Sequence, residues 1–267
     1  WVRASRAREV ETDSLIALHR RSTRWLADYF AIPYPFAKMD FLLAPAFPFG
    51  GMEHPGAIFY NEESFIYREP PTLVQRLGRQ ATIHHEVAHQ WFGDYTTMRW
   101  FDDLWMKEGF ATYMSAKMLA AMGDSTAWMS FYLRNKPAAY GVDATAGTTP
   151  VWQALSNLDQ AKSNYGAIVY NKAPGVLKQL NHLVGENAFR AGVQDFLRTH
   201  AYGNATWREL LAAIGARAGR DLSAWGASYF LRPGMPVIEQ RLEIDADGRI
   251  ARLALVQRPA QALSGRG

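Results

Sequence analysis

Cysteine is absent from all 267 residues, so the chain forms no disulfide and offers no thiolate to a metal. Any metal ion has to be held by histidine, aspartate or glutamate. The absence leaves the compartment open, since a cysteine-free chain fits the cytoplasm and the periplasm alike. Also missing is any apolar run approaching the roughly 18 to 20 residues of a membrane span. Charge of one sign is weak: 29 Lys and Arg against 25 Asp and Glu leave a net +4. The densest basic runs, RASRAR at 3–8 and RLGRQ at 76–80, have no interleaved aromatics, so a nucleic-acid partner is not expected. There is no internal repeat and no low-complexity tract. The first residue is Trp1 rather than Met, so targeting is unreadable.

What is present is enough apolar material, 48% of residues, to bury a large core. Residues 12–31, TDSLIALHRRSTRWLADYFA, carry Leu15, Leu18, Leu26, Tyr29 and Phe30 near helical spacing, and Pro33 and Pro35 stop the helix. From Met39 to Tyr67 short apolar runs alternate with turn residues, which predicts a small sheet. Helices are then expected near 72–93, 102–122, 124–136, 166–184, 187–199, 206–218 and 221–231, with 141–164 an extended loop holding one short helix. After Arg232-Pro233-Gly234, two alternating runs flank Asp247-Gly248 and predict a hairpin. A lone hairpin is marginal, so it is expected to begin a further β-domain. The expected division is 1–231 and 232–267.

The chemistry concentrates in HHEVAHQWFG, residues 84–93. His85, Glu86 and His89 spell H-E-x-x-H on an expected helix, where positions four apart lie about 40° apart and both imidazoles can bind one ion. The geometry fits zinc, with Glu86 close to a water on the ion without being a ligand. Catalytic zinc takes three protein ligands and keeps an open position. Eighteen residues separate His89 from Glu108, which lies in LWMKEGFATY on the next expected helix. An antiparallel pair of those helices returns its carboxylate to the same face.

The stretch HEVAHQWFGDYTTMRWFDDLWMKEGFATY resembles the zinc signature of the aminopeptidase N family, which also includes the leukotriene hydrolase. GGMEH at 50–54 is similar to that family's exopeptidase signature, usually G-A-M-E-N, and YNKAPGVL at 170–177 to its Tyr-x-K-G segment. The resemblance covers roughly residues 25–235. It implies an α+β, thermolysin-like zinc peptidase domain, with a small β-lobe, a mainly helical lobe and one zinc ion between them. By the same resemblance His85, His89 and Glu108 are the zinc ligands, Glu86 the general base, and Tyr170 the donor to the oxyanion. Glu53 would hold the substrate's free α-ammonium, with Gly50, Gly51 and Met52 along the substrate. The departures are His54 and Asp94 where Asn is usual or common, and Ala173-Pro174 in place of the usual Gly and its neighbour.

Other residues keep two readings. His54 lines the pocket for the first substrate side chain or orients its loop; Tyr165 borders the amine site or is an ordinary core aromatic. His84 supports the site from another face or lies on the surface. His19, His182 and His200 are structural or surface groups, and the Met and Trp residues of WMKEGF and TAWMSFY are expected in the core. The activity expected is removal of N-terminal residues from peptides. An endopeptidase with the same chemistry and a zinc-binding pseudoenzyme that holds peptides are the alternatives. The resemblance also implies a β-domain preceding this chain, packed on it and adding to the amine-binding end. Without that domain the chain is expected to be zinc-loaded, weakly active and prone to self-association through the open hairpin.

Overall fold

A computed structural model describes residues 1–258; residues 259–267, the end of the expected segment 232–267, lie outside it. Helix α1 (Thr12–Phe30) buries Leu15, Ser22, Leu26, Tyr29 and Phe30 on one side, the face that three- and four-residue spacing predicts. It closes on Ala31 in the left-handed region. Strands β1 (Asp40–Ala44), β2 (Gly51–Met52) and β3 (Ala57–Asn61) form the small sheet in the order β1-β3-β2. β1 runs parallel to central β3, and edge strand β2 antiparallel to it. Along β3, Ile58 and Tyr60 point into the core, the alternation of a half-buried strand. A single turn, α2 (Glu62–Phe65), follows.

Helix α3 (Leu73–His89) starts with a capping box: the Thr72 hydroxyl accepts from the Gln75 N–H, and the Gln75 side chain accepts from the Thr72 N–H. It packs against α4 (Trp105–Ala121), which buries Trp105, Phe110 and Tyr113. The Phe92 ring stacks on Phe110 at 3.6 Å and faces Phe196 at 6.0 Å, fixing how the two helices and α9 (Glu186–Thr199) meet. The remaining α-helices are α5 (Ala127–Ser130), α6 (Lys136–Asp143), α7 (Leu158–Asn164), α8 (Ala173–Val184), α10 (Trp207–Ala218) and α11 (Ser223–Phe230). The hairpin strands are β6 (Val237–Ile244) and β7 (Ile250–Arg258), paired with each other and exposed over most of both faces.

The α+β architecture matches the expectation, with three differences in detail. The helix expected at 124–136 breaks into α5, a π-turn at Phe131–Asn135, and α6, which runs on to Asp143. Pro137 lacks an N–H, and it sits where α6 begins and needs none. The helix expected from 166 likewise opens with a π-turn, Ile168–Lys172, before Pro174 enters the first turn of α8. Two three-residue strands, β4 (Thr96–Met98) and β5 (Gly203–Ala205), pair in parallel; neither is long enough to show a period in sequence. Trp105 and Met106 are buried as expected, but Met129 of TAWMSFY is 60% exposed.

Candidate metal centre and active site

The last turns of α3 carry His85, Glu86 and His89, and the first turn of α4 carries Glu108. The dipoles of the two helices suit this placement: a helix C-terminus favours a cation, and an N-terminus favours the Glu108 carboxylate. His85 Nε2 lies 3.0 Å from His89 Nε2, and each lies 3.3 Å from Glu108 Oε2. A tetrahedral ion bound at about 2.0 to 2.1 Å separates its ligands by roughly 3.3 Å, so the triangle has the size zinc requires. The far ring nitrogens are engaged. His89 Nδ1 donates to the Phe92 carbonyl at 2.9 Å, and His85 Nδ1 is 3.3 Å from the Thr112 hydroxyl. With both rings neutral, these contacts favour a free Nε2 lone pair on each ring, facing the triangle, the arrangement of two metal-ligating histidines.

The charges around that point are strongly coupled. Burial would lower the basicity of His89, but Glu53 and Glu108 outweigh it and push His89 up to about 9. For Glu108, burial is overcome by His89, His85 and Lys107, which hold its carboxyl well below the usual range. Burial pushes the Glu86 carboxyl up to about 8, and its Oε2 has no hydrogen-bond partner among the described residues. Gly51 lies against this carboxylate: a Cβ at Gly51 would fall 2.4 Å from Glu86 Oε1. Side-chain atoms of Glu53, Glu86 and His89 all lie within 4.8 Å of one another.

Glu53 is buried at the end of β2, and its position depends on two residues that sequence reasoning passed over. Lys107 donates to Glu53 Oε1 and, at 2.6 Å, to Glu108 Oε1. Gln90, fully buried just past the metal motif, clamps the loop. Its amide donates to the Glu53 carbonyl at 3.0 Å, and its oxygen accepts from the Gly56 N–H at 3.0 Å and the Tyr34 hydroxyl at 3.1 Å. Lys107 and Gln90 adjoin candidate metal ligands in sequence, which is the available signal; Thr112, one helical turn after Glu108, gives none.

The site opens into a cleft of about 980 Å³, which Gly50, Gly51, Met52, Glu53, Tyr165 and Tyr170 line together with the metal-binding face. The Tyr170 ring lies 6.2 Å from that of His85. Burial, then the Glu108 carboxylate, pushes the Tyr170 phenol up, so it stays protonated and able to donate. Tyr165 is 46% exposed, which removes the core reading and leaves it at the cleft, 6.5 Å from the Tyr170 ring. His54 is exposed and sits edge-on to Phe59 at 4.8 Å, outside the cleft lining, in keeping with a role in its loop. His84 is neither on the surface nor beside the metal face. It is buried against α1, where its Nδ1 meets the Ser22 hydroxyl at 2.8 Å. His19 is likewise internal, 2.9 Å from the Tyr60 hydroxyl, while His182 is exposed.

Residues 16–229 match the model of the peptidase family M1 domain. The chain is 38% identical over its whole length to an aminopeptidase N of Streptomyces lividans, of which it covers 32%. It is 31% identical to the tricorn protease-interacting factor F2 of Thermoplasma volcanium, with 97% of this chain and 33% of that protein aligned. A leucyl aminopeptidase of Saccharolobus solfataricus is 32% identical over 83% of this chain and 28% of its own length. The chain thus spans about a third of the length of these relatives. With the donor triangle, the Glu53 carboxylate and Tyr170 in one cleft, and a family match over most of its length, the chain belongs to peptidase family M1.

Proposed function

We propose that this chain is the catalytic part of a zinc aminopeptidase that removes residues singly from the free N-terminus of peptides. The observation that carries the reading is the buried Glu53 carboxylate, clustered with Glu86 and His89 beside the metal-binding triangle. An acidic group in that place suits a substrate whose cleaved bond adjoins a cationic amine. An endopeptidase would have no ammonium to place there, and a peptide-holding pseudoenzyme would have no need of Glu86 or Tyr170.

A zinc ion held by His85, His89 and Glu108 supplies Lewis acidity, polarising a carbonyl and lowering the pKa of water. Glu53 accepts from the substrate α-ammonium and fixes the register at one residue. The edge strand β2 offers its free backbone groups to the substrate main chain, with Gly50, Gly51 and Met52 alongside. Glu86 takes the proton from the attacking water at its unpartnered Oε2 and passes it to the departing amine. The Tyr170 phenol donates to the oxyanion that forms when water adds to the scissile carbonyl. Residues 1–231 are the catalytic unit in this reading, and 232 onward enters a separate β-domain. A β-domain preceding this segment in the longer polypeptide would complete the amine-binding end.

The test is a panel of aminoacyl reporter substrates, free and N-acetylated, assayed with and without a zinc chelator. The reading expects turnover of free-amine reporters only, abolished by chelation and restored by zinc. Turnover of blocked internal peptides at equal rates would overturn it in favour of an endopeptidase.

A further inference from the structure

Two residues past Tyr170, Lys172 ends the π-turn and directs its ammonium into a buried ion pair. Its Nζ lies 2.7 Å from Asp143 Oδ2 and 2.9 Å from Oδ1, and donates to the Gly234 carbonyl at 3.0 Å. Asp143, the last residue of α6, is 4% exposed. Its Oδ1 also accepts from the Thr148 hydroxyl at 2.7 Å and the Gly234 N–H at 3.1 Å. Gly234 has φ of +77°, a left-handed conformation that lets one residue turn both its N–H and its C=O to the pair. Three distant segments therefore meet at one point: α6, the turn that bears Tyr170, and the linker between α11 and β6.

The turn needs outside support. A π-turn is a rare, single-turn feature inside helices, recurrent at functional sites, and tertiary contacts must hold it. Two neutral contacts do part of this. Asn135, on the other π-turn, donates to Asn171 Oδ1 at 3.0 Å, and Gly109 lets Ala173 approach α4 closely. The Lys172–Asp143 pair is the charged contact, and a buried pair resists displacement because separating it strands a charge.

We propose that Asp143, Lys172 and the Gly234 peptide form a clamp that positions the Tyr170 turn for catalysis, making the linker to the C-terminal hairpin a positioning element of the active site. The proposal rests on the aminopeptidase reading above. Lys172 and Asp143 act through Tyr170; they do not touch substrate. A donor displaced by about an ångström loses much of its effect, so breaking the clamp should cost turnover while leaving zinc and substrate binding alone.

The experiment compares Lys172→Met and Asp143→Asn, each alone and combined with Tyr170→Phe. Lys172→Arg, which keeps the pair, is the conservative rescue. Readouts are kcat, KM, zinc content and hydrogen–deuterium exchange. The expected result is a kcat loss of about 10- to 100-fold with KM within about twofold, faster exchange confined to 166–172 and 232–235, and recovery in Lys172→Arg. In the Tyr170→Phe background the same substitutions should cost less than about twofold, because there is no longer a phenol to position. Equal losses in both backgrounds would overturn the proposal, as would exchange that is unchanged or faster throughout the domain. Should Lys172→Met fail to fold, Asp143→Asn and Lys172→Arg carry the same comparison. If the unaltered chain cleaves no aminoacyl reporter, the aminopeptidase reading falls, and the exchange arm still decides whether the clamp holds the turn.

Discussion

The ammonium of Lys107 donates to Glu53 Oε1, so the carboxylate proposed to hold a substrate's α-ammonium already faces a cation of the protein. Lys107 also reaches Glu108 Oε1 at 2.6 Å and thus pairs with two buried carboxylates at once. Among the described residues Glu53 Oε2 takes no hydrogen bond and faces a substrate amine more freely than Oε1. The arrangement explains how Glu53 stays ionised while buried: burial would raise it, and His89 and Lys107 hold it below its ordinary range.

Lys107→Met should therefore destabilise the zinc-free chain by about 3 kcal/mol, the usual cost of removing one partner from a buried ion pair. With zinc bound, Glu108 keeps a cationic neighbour, and the loss should shrink. Urea unfolding with and without a chelator measures both. Equal losses in the two states would mean that Lys107 does not share Glu108 with the metal.

Glu53→Ala should lower kcat/KM for free-amine substrates by about 10- to 100-fold, the range for a lost charge-assisted hydrogen bond, and leave N-acetylated analogues unchanged. Matched pairs of peptides assayed on both forms measure the difference. A parallel loss on the two classes would remove the anchoring role.

The grouping of His85, His89 and Glu108 is legible because H-E-x-x-H places two imidazoles on one face by helical spacing alone, and the next expected helix returns Glu108 to that face. Helix α1 was legible for a related reason, since Leu15, Leu26 and Phe30 repeat at the period of the face they bury. The residues that hold the site together were not. Gln90, Lys107 and Asp143 are polar groups whose partners lie 37, 54 and 91 positions away, at Glu53, Glu53 and Gly234, and no local pattern announces such pairs. The π-turn at Ile168–Lys172 is indistinguishable from plain helix in sequence, because its extra residue alters no periodicity that a short window resolves. His84 faces away from the metal pair as expected, but its burial is not legible without its partner, Ser22, which sits 62 positions earlier on α1.

Gly109 makes room for the Tyr170 turn beside the metal helix. A Cβ there would fall 2.8 Å from the Ala173 Cβ and 3.1 Å from the Val169 carbonyl oxygen. Gly109→Ala should thus cost about 1 to 3 kcal/mol in stability and lower kcat more than it raises KM, with zinc content intact. Unfolding and steady-state kinetics on the zinc-loaded variant decide this, and an unchanged kcat would show that the turn has slack.

Glu86→Gln keeps the size of the side chain and removes the proton acceptor. Zinc content should match the unaltered chain while kcat falls by about 10² to 10⁴, the range for general-base catalysis. His85→Ala should instead lose the metal. Near-normal turnover in Glu86→Gln would require another base.

Removing zinc should steepen the fall of stability with rising pH. Without the metal, burial raises Glu86 and Asp94 to about 8, and Glu53 and Glu108, overcoming burial, raise His89 to about 9. All three hold protons more tightly folded than unfolded. Each therefore adds stability that is present at low pH and lost as the pH rises through its folded value. The zinc-free chain should melt at progressively lower temperature from pH 7 to 9.5. Zinc needs His89 neutral, so its binding displaces that proton, and apparent affinity should rise by up to about tenfold per pH unit below 9. The stabilisation it contributes grows with affinity, so the gap between loaded and zinc-free melting temperatures should widen over the same interval. Calorimetric scans at fixed free zinc and in chelator, taken between pH 7 and 9.5, give both curves. A constant gap would show that His89 carries no proton in the zinc-free state.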